Sequence, residues 1–300
     1  MERKEVLQTM DVIIVDAYGV FNFGKGVSPA VINTMKQLVD EGKQVYILSN
    51  TTAVNSSTIK KYEEKGVVKG VHYTDIFTSG QFASEEIQAG NLPVAGKRYY
   101  VYGIANHKNS DKVPAIFANS GYELTDYLDE ADFIYCGIPQ LKNNSGEFVD
   151  CKDDSYLVRF FAETVKSLVA SEKPLVCVNP DKIANEGGRF VIRQGTIAEF
   201  YELYNGQVIY YGKPDPRIFE TLISRYCPDI SKDKILMVGD TLRTDIKGAQ
   251  LAGIKTALVL QGSVTEYEMN KQRLSLEEYL AKEGIYPNYI WKRLSHEYLF

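Results

Sequence analysis

Residues 12–20 read Val12-Ile13-Ile14-Val15-Asp16-Ala17-Tyr18-Gly19-Val20. The apolar run 12–15 reads as a short strand that stops at a carboxylate, and a helix with clear punctuation follows. Ser28 stands at its N-cap, Pro29 at its first position, and Gly42 just beyond its end. A strand, a polar tip and a capped helix make one βα unit, and the same unit recurs along the chain. A second strand at 45–48 leads to the polar tip Ser49-Asn50-Thr51 and a helix near 57–65 stopped by Gly66, and a third strand spans 76–78.

Between 82 and 204 the strand-like segments 99–102, 133–136 and 175–178 alternate with helical stretches, and the polar stretch 140–154 reads as a loop. Beyond Gly206 come a strand at 208–210, a helix after Pro216, a strand at 235–238, a helix near 245–251 and a last parallel strand at 256–260. Repeated βα units with short connections predict an α/β fold with a doubly wound parallel sheet, Rossmann-like in plan. Its core is expected to be discontinuous, 1–81 and 205–300, with a separate α/β module inserted over 82–204. In the tail, 263–300, the capping-box pattern Ser275-x-x-Glu278 with Gly284 predicts one helix. The tail aromatics Tyr286, Tyr289 and Trp291 are expected to pack on the core or on a partner subunit.

Composition narrows the function classes. The longest apolar runs are far too short to cross a bilayer, and the N-terminus lacks the apolar stretch and small-residue cleavage site of a signal peptide, so a cytoplasmic protein without a membrane partner is expected. Cys136, Cys151, Cys177 and Cys227 are widely spaced with no C-x-x-C pair, which argues against a zinc knuckle or a disulfide framework. His72, His107 and His296 share no metal-ligand spacing. A formal charge of -5, with Lys and Arg scattered, offers no basic stripe to a nucleic acid. Small molecules are the expected partners.

Four strand ends carry chemistry: Asp16 to Val20, Ser49 to Thr51, Lys213-Pro214, and Gly239-Asp240-Thr241-Leu242-Arg243-Thr244-Asp245. In a parallel sheet such tips converge on one crevice. Phosphoryl transfer needs an attacking carboxylate, a cation to screen like charges, and donors for the oxygens in flight. Asp16 can attack, and Asp240 and Asp245 can hold magnesium through hard oxygen ligands. Ser49 and the N–H groups around Asn50 and Gly19 can bind phosphoryl oxygens, while Lys213 brings a compact positive charge. Taken singly, Asp16 or Asn50 could be a turn former and Asp245 a helix cap; it is the set, in this order, that reads as one site. By contrast Gly19-x-x-x-x-Gly24-Lys25 mimics a Walker A loop but continues with Gly26, not with the Ser or Thr that ligates magnesium, and reads as a glycine-rich flap.

Through Gly262 the chain resembles the haloacid dehalogenase superfamily, and most of all subclass IIA, the NagD-like phosphatases. The motifs that carry the resemblance are DAYGV at Asp16, SNT at Ser49, NPD at Asn179, YGKP at Tyr211 and VGDTLRTDI ending at Ile246. The resemblance implies that the inserted module is a cap that closes over the crevice and selects the substrate. It points to Asn179, Asp181, Arg189 and Arg193 as substrate contacts, to a small phosphorylated metabolite as substrate, and to a homodimer through the caps as one oligomeric state. It also implies that the backbone carbonyl of Tyr18 joins Asp16, Asp240 and Asp245 around magnesium. Tyr18 is the departure, because phosphatases of this kind carry Asp there to protonate the leaving oxygen. A phenol with a pKa of about 10 does this poorly, and such assistance is typically worth about 10²–10⁴ in rate. The alternatives are therefore a catalytically impaired phosphate-ligand binding or regulatory protein, or a carbon–halogen or carbon–phosphorus hydrolase. The paired Asp240 and Asp245 favour phosphate over halide.

Overall fold

The computed structural model describes residues 2–24, 26–105 and 113–295; Lys25, His107 and His296 lie outside them. A six-stranded parallel sheet forms the core, in the order Tyr289–Trp291, Lys255–Val259, Ile235–Gly239, Val12–Val15, Gln44–Ser49, Asp75–Thr78. Alternation along the second central strand explains why it is apolar throughout: Val12 and Ile14 feed one hydrophobic cluster, Ile13 and Val15 another on the opposite face. Helices therefore cover both faces, as in a doubly wound sheet.

Register sets the chemistry. Val15 lies beside Ile47 on one side and Val238 on the other, so Asp16, Ser49 and Asp240 emerge at the same carboxyl rim. The helix Pro29–Asp40 starts at Ser28, whose hydroxyl accepts from the Val31 N–H.

The second sheet is also parallel, in the order Val208–Tyr210, Leu175–Cys177, Phe133–Cys136, Arg98–Tyr102, Glu123–Leu124. The segment Val208–Tyr210, expected on the core side of residue 205, thus belongs to the inserted module. Its crossover helix, Gln194–Leu203, packs on this sheet, where the Tyr201 hydroxyl donates to the Lys173 carbonyl at 2.6 Å, and so delivers the next strand to the same sheet. Only at Tyr211, buried against Phe82, does the chain return to the core.

Two further expectations are corrected. The polar stretch 140–154 contains a hairpin, Gln140–Lys142 with Phe148–Asp150, because the Asn143 side chain accepts from the Ser145 and Glu147 N–H groups and builds the turn. Among its described residues the tail holds two helices, Val264–Gln272 and Leu276–Glu283, and then the sixth core strand, with Trp291 buried. The capping box at Ser275 and Glu278 and the left-handed Gly284 close the second helix as expected.

A second hairpin, Ile183–Glu186 with Arg189–Ile192, reaches down from the cap module to the core. The Gly187 N–H donates to the Phe23 carbonyl at 2.8 Å, and the Asn185 amide to the Gly262 carbonyl at 2.8 Å. Gly24 lets this approach happen, since a Cβ there would run into the Glu186 carboxylate. Phe190 stacks on Tyr267, and Lys271 pairs with Asp153 at 2.6 Å. The flap and the hairpin are therefore joined, and the module sits closed on the core. Among the described residues no helix is long and apolar enough to cross a membrane.

Candidate active site

Lys213 organises the rim. Its ammonium, 1% exposed, donates to Asp16 Oδ1 at 2.5 Å, to Asp245 Oδ1 at 2.7 Å and to the Leu48 carbonyl at 3.0 Å. Burial lowers its pKa, but Asp16 and Asp245 more than offset that and hold it charged. Its own backbone is fixed by Asn50, whose Oδ1 accepts from the Lys213 N–H at 2.8 Å and whose Nδ2 donates to the Lys213 carbonyl at 3.0 Å. Asn50 and Ser49 are both buried at the strand tip.

Asp240 and Asp245 are set by a π-helical turn, Leu242–Ile246, a form common at functional sites. Asp245 Oδ2 accepts from the N–H groups of Asp240 and Thr241, each at 3.0 Å. Asp240 accepts from the Val264 N–H at 2.8 Å and from the Thr241 hydroxyl at 2.8 Å. One carboxylate oxygen from each of Asp16, Asp240 and Asp245 lies within 4.8 Å of the other two. Burial, then the nearby Asp245, pushes Asp240 up to about 7. Burial also lifts Asp16 well above the usual carboxylate range, against the pull of Lys213. The rim thus holds more carboxyl groups than one ammonium can keep ionised. Gly19, at φ 81°, closes over it, and a Cβ there would collide with the Asp240 carboxylate.

From the cap module, Asp181 descends to this cluster, and its Oδ1 accepts from Asn50 Nδ2 at 3.0 Å. Burial raises its pKa, with Lys213 opposing. Asn179 sits beside it, its side-chain oxygen accepting from the Asp181 N–H at 3.1 Å. The Tyr18 hydroxyl is turned to the helix Asn55–Glu63, where it accepts from Lys61 Nζ at 3.2 Å. The two cap arginines are not brought to the cluster. Arg189 is exposed, paired in register with Glu186. Arg193 is buried, with Nη1 donating to Asp150 and Nη2 to Glu186, each at 2.8 Å. Two carboxylates already neutralise it, so it braces the two hairpins and offers no spare charge to a substrate.

Sequence reasoning overlooked Lys61, the Val264 N–H and Thr265, whose hydroxyl donates to the Asp240 carbonyl at 2.7 Å. The last two had a readable signal: Ser263-x-x-Glu266 caps the helix Val264–Gln272, with Ser263 Oγ accepting from the Glu266 N–H. All four cysteines are free and buried.

Comparison with known proteins gives a consistent picture. Residues 13–123 match a family model described as haloacid dehalogenase-like hydrolase, and residues 210–288 match one described as HAD-hydrolase-like. The chain is 26% identical over 274 residues to a 4-nitrophenylphosphatase of Schizosaccharomyces pombe, covering 89% of each. It is 24% identical over 258 residues to the ribonucleotide monophosphatase NagD of Escherichia coli, covering 85% of this chain and 89% of that one. Among solved structures, a haloacid dehalogenase-like hydrolase from Brucella suis superposes with a TM-score of 0.76 at 21% identity, covering 97% of both chains.

Proposed function

The chain belongs to the haloacid dehalogenase-like hydrolases, subclass IIA, and from that premise we propose that it is a magnesium-dependent phosphatase of small phosphorylated metabolites, acting through an aspartyl-phosphate on Asp16. The observation that carries this reading is the bridge from the Lys213 ammonium to Asp16 and Asp245, beside a third buried carboxylate. The donor set suits a hard divalent cation: three buried carboxylates in excess of positive charge, and no soft ligand among the residues that form the cluster. Asp16, Asp240 and Asp245, with the Tyr18 carbonyl, would hold it. When bound, magnesium supplies the positive charge that lets an anionic carboxylate and a phosphate share the rim.

The chain's own groups then divide the work. Lys213 orients Asp16 through one oxygen, leaving the other to form the bond to phosphorus. The Ser49 hydroxyl and the backbone N–H groups beside Asn50 would offer donors to the phosphoryl oxygens; the Gly19 N–H, expected among them, is already given to the Asn22 carbonyl at 3.1 Å. The closed cap module excludes water from the rim. Tyr18, with its hydroxyl held at Lys61, is a weak substitute for a carboxylic acid.

Beryllofluoride with magnesium tests the reading directly. Thermal stabilisation of the unaltered chain, absent from Asp16→Asn, together with turnover of a phosphate-ester panel lost in the same variant, is the expected result. The absence of both stabilisation and turnover would remove the mechanism.

A further inference from the structure

Resting on that phosphatase reading, we propose that the cap residue Asp181, and not Tyr18, is the group that protonates the leaving oxygen and afterwards takes a proton from the attacking water. Position 18 offers only a phenol, and its hydroxyl is engaged with Lys61 at the side of the site. Asp181 is the carboxyl that the cap module delivers to the cluster, touching Asn50, the same residue that fixes the Lys213 backbone. Asp16 stands at the ends of the core strands, and Asp181 arrives from the module lying above them. In an in-line displacement the leaving oxygen departs on the side opposite the nucleophile, which here is the cap side.

The loop that presents Asp181 is held at several points. The Asp181 N–H donates to Asn179 Oδ1 at 3.1 Å, its carbonyl accepts from the Gly195 N–H at 3.0 Å, and the next residue's carbonyl accepts from the Arg193 N–H at 2.7 Å. Gly195 has no room for a side chain, because a Cβ there would strike the Pro180 carbonyl. Such rigid support is what a group needs to meet one oxygen atom repeatedly.

Asp181 faces both signs of charge at the rim. The groups facing Asp181 are Lys213, Asp245, Asp16 and Asp240 from the core, with Asn50 as its hydrogen-bond donor. Burial raises its pKa, with Lys213 pulling the other way. An ionised Asp181 would repel the incoming phosphate and compete with it for the Asn50 amide; a protonated one does not repel it and carries the proton the reaction consumes.

The steps balance. An Asp16 oxygen bonds to phosphorus as the ester P–O bond breaks; the leaving oxygen keeps the electron pair and takes the Asp181 proton, releasing an alcohol. Water then bonds to phosphorus as the P–O bond to Asp16 breaks, and its proton passes to the Asp181 carboxylate, restoring both residues and releasing phosphate. The device matters most for poor leaving groups, so the proposal assigns the site to esters of ordinary alcohols, such as sugar or polyol phosphates, as well as to aryl esters.

The test compares Asp181→Asn and Asp181→Glu with the unaltered chain, all with magnesium, on glycerol phosphate and on 2,4-dinitrophenyl phosphate, whose leaving group needs no proton. Expected for Asp181→Asn is a loss of about 10²–10⁴ in kcat on the alkyl ester, less than about tenfold on the aryl ester, loss of the alkaline limb of the alkyl pH profile, and partial rescue by Asp181→Glu. Equal losses on both esters, or none, would overturn the assignment while leaving the phosphatase reading intact. Turnover of neither ester by the unaltered chain would overturn both. Beryllofluoride stabilisation of each variant shows that the rim is still folded; a variant that lacks it is replaced by Asp181→Ser under the same criteria.

Discussion

Phe190 of the cap hairpin lies flat on Tyr267 of the core, with ring centroids 3.9 Å apart and planes 13° from parallel. The two rings come from different modules, so the stack is part of what keeps the crevice covered. Aromatic pairs contribute about 0.5–1.5 kcal/mol beyond the area they bury. A double-mutant cycle on Phe190→Leu and Tyr267→Leu should return a coupling energy of about 1 kcal/mol, and each single change should raise KM more than it lowers kcat. Additive effects would mean that the stack does not hold the modules together.

Replacing Lys213 by methionine removes the cation from among Asp16, Asp245 and Asp240. Breaking a buried pair in this way typically costs about 3–5 kcal/mol, because uncompensated charge stays behind. The variant should be inactive, should melt well below the unaltered chain at neutral pH, and should regain part of the difference when magnesium is added. A melting curve unchanged by the substitution would contradict the bridging role.

Asp240, raised by burial and Asp245 from an ordinary 3.8 to about 7, fixes a pH dependence. The folded state holds a proton that the unfolded chain gives up in this range, so the stability tied to the protonated form is lost as pH rises from about 4 through about 7. A divalent cation binds the ionised form and opposes that loss. The gap in melting temperature between magnesium and chelator should therefore widen between about pH 5 and about pH 8. A gap independent of pH would place the cation elsewhere.

Gly19→Ala should disable the rim without touching a charged group. Its φ of 81° disfavours alanine, and the added carbon collides with the Asp240 carboxylate. Strain of this kind typically costs about 1–3 kcal/mol. Magnesium affinity, measured by calorimetry, should fall at least tenfold; an unchanged affinity would separate Gly19 from the cation site.

Tyr18→Asp introduced into the Asp181→Asn background should recover turnover of alkyl phosphates. It supplies a carboxyl from the core side, two residues beyond Asp16. Continued inactivity of the double variant, with beryllofluoride binding retained, would show that position 18 cannot reach the leaving oxygen.

The rim was readable from sequence because parallel topology does the assembling: once 12–15, 45–48 and 235–238 are strands of one sheet, Asp16, Ser49 and Asp240 must emerge at one edge. Arg193 shows where such reasoning stops. Its charge suggests a substrate contact, but its partners, Asp150 and Glu186, lie on two hairpins, and the first of these is hidden in a polar stretch without hydrophobic alternation. The sheet that takes Val208–Tyr210 was equally opaque, since a three-residue strand carries no side-chain pattern that distinguishes two neighbouring sheet edges. The tail strand Tyr289–Trp291 was missed for the same reason: its aromatics announce burial but not pairing.

The order of the core sheet also governs how the molecule must be made. Val12–Val15 pairs on one side with Gln44–Ser49, available early, and on the other with Ile235–Gly239. At the usual pace of translation, about 5–20 residues per second, that open edge waits roughly 10–45 s for its neighbour. Every strand of the second sheet lies between Arg98 and Tyr210, so that module is complete before the edge is closed. On the ribosome the lid is therefore ready before the vessel, and the half-built sheet edge is the segment most in need of a chaperone's shelter.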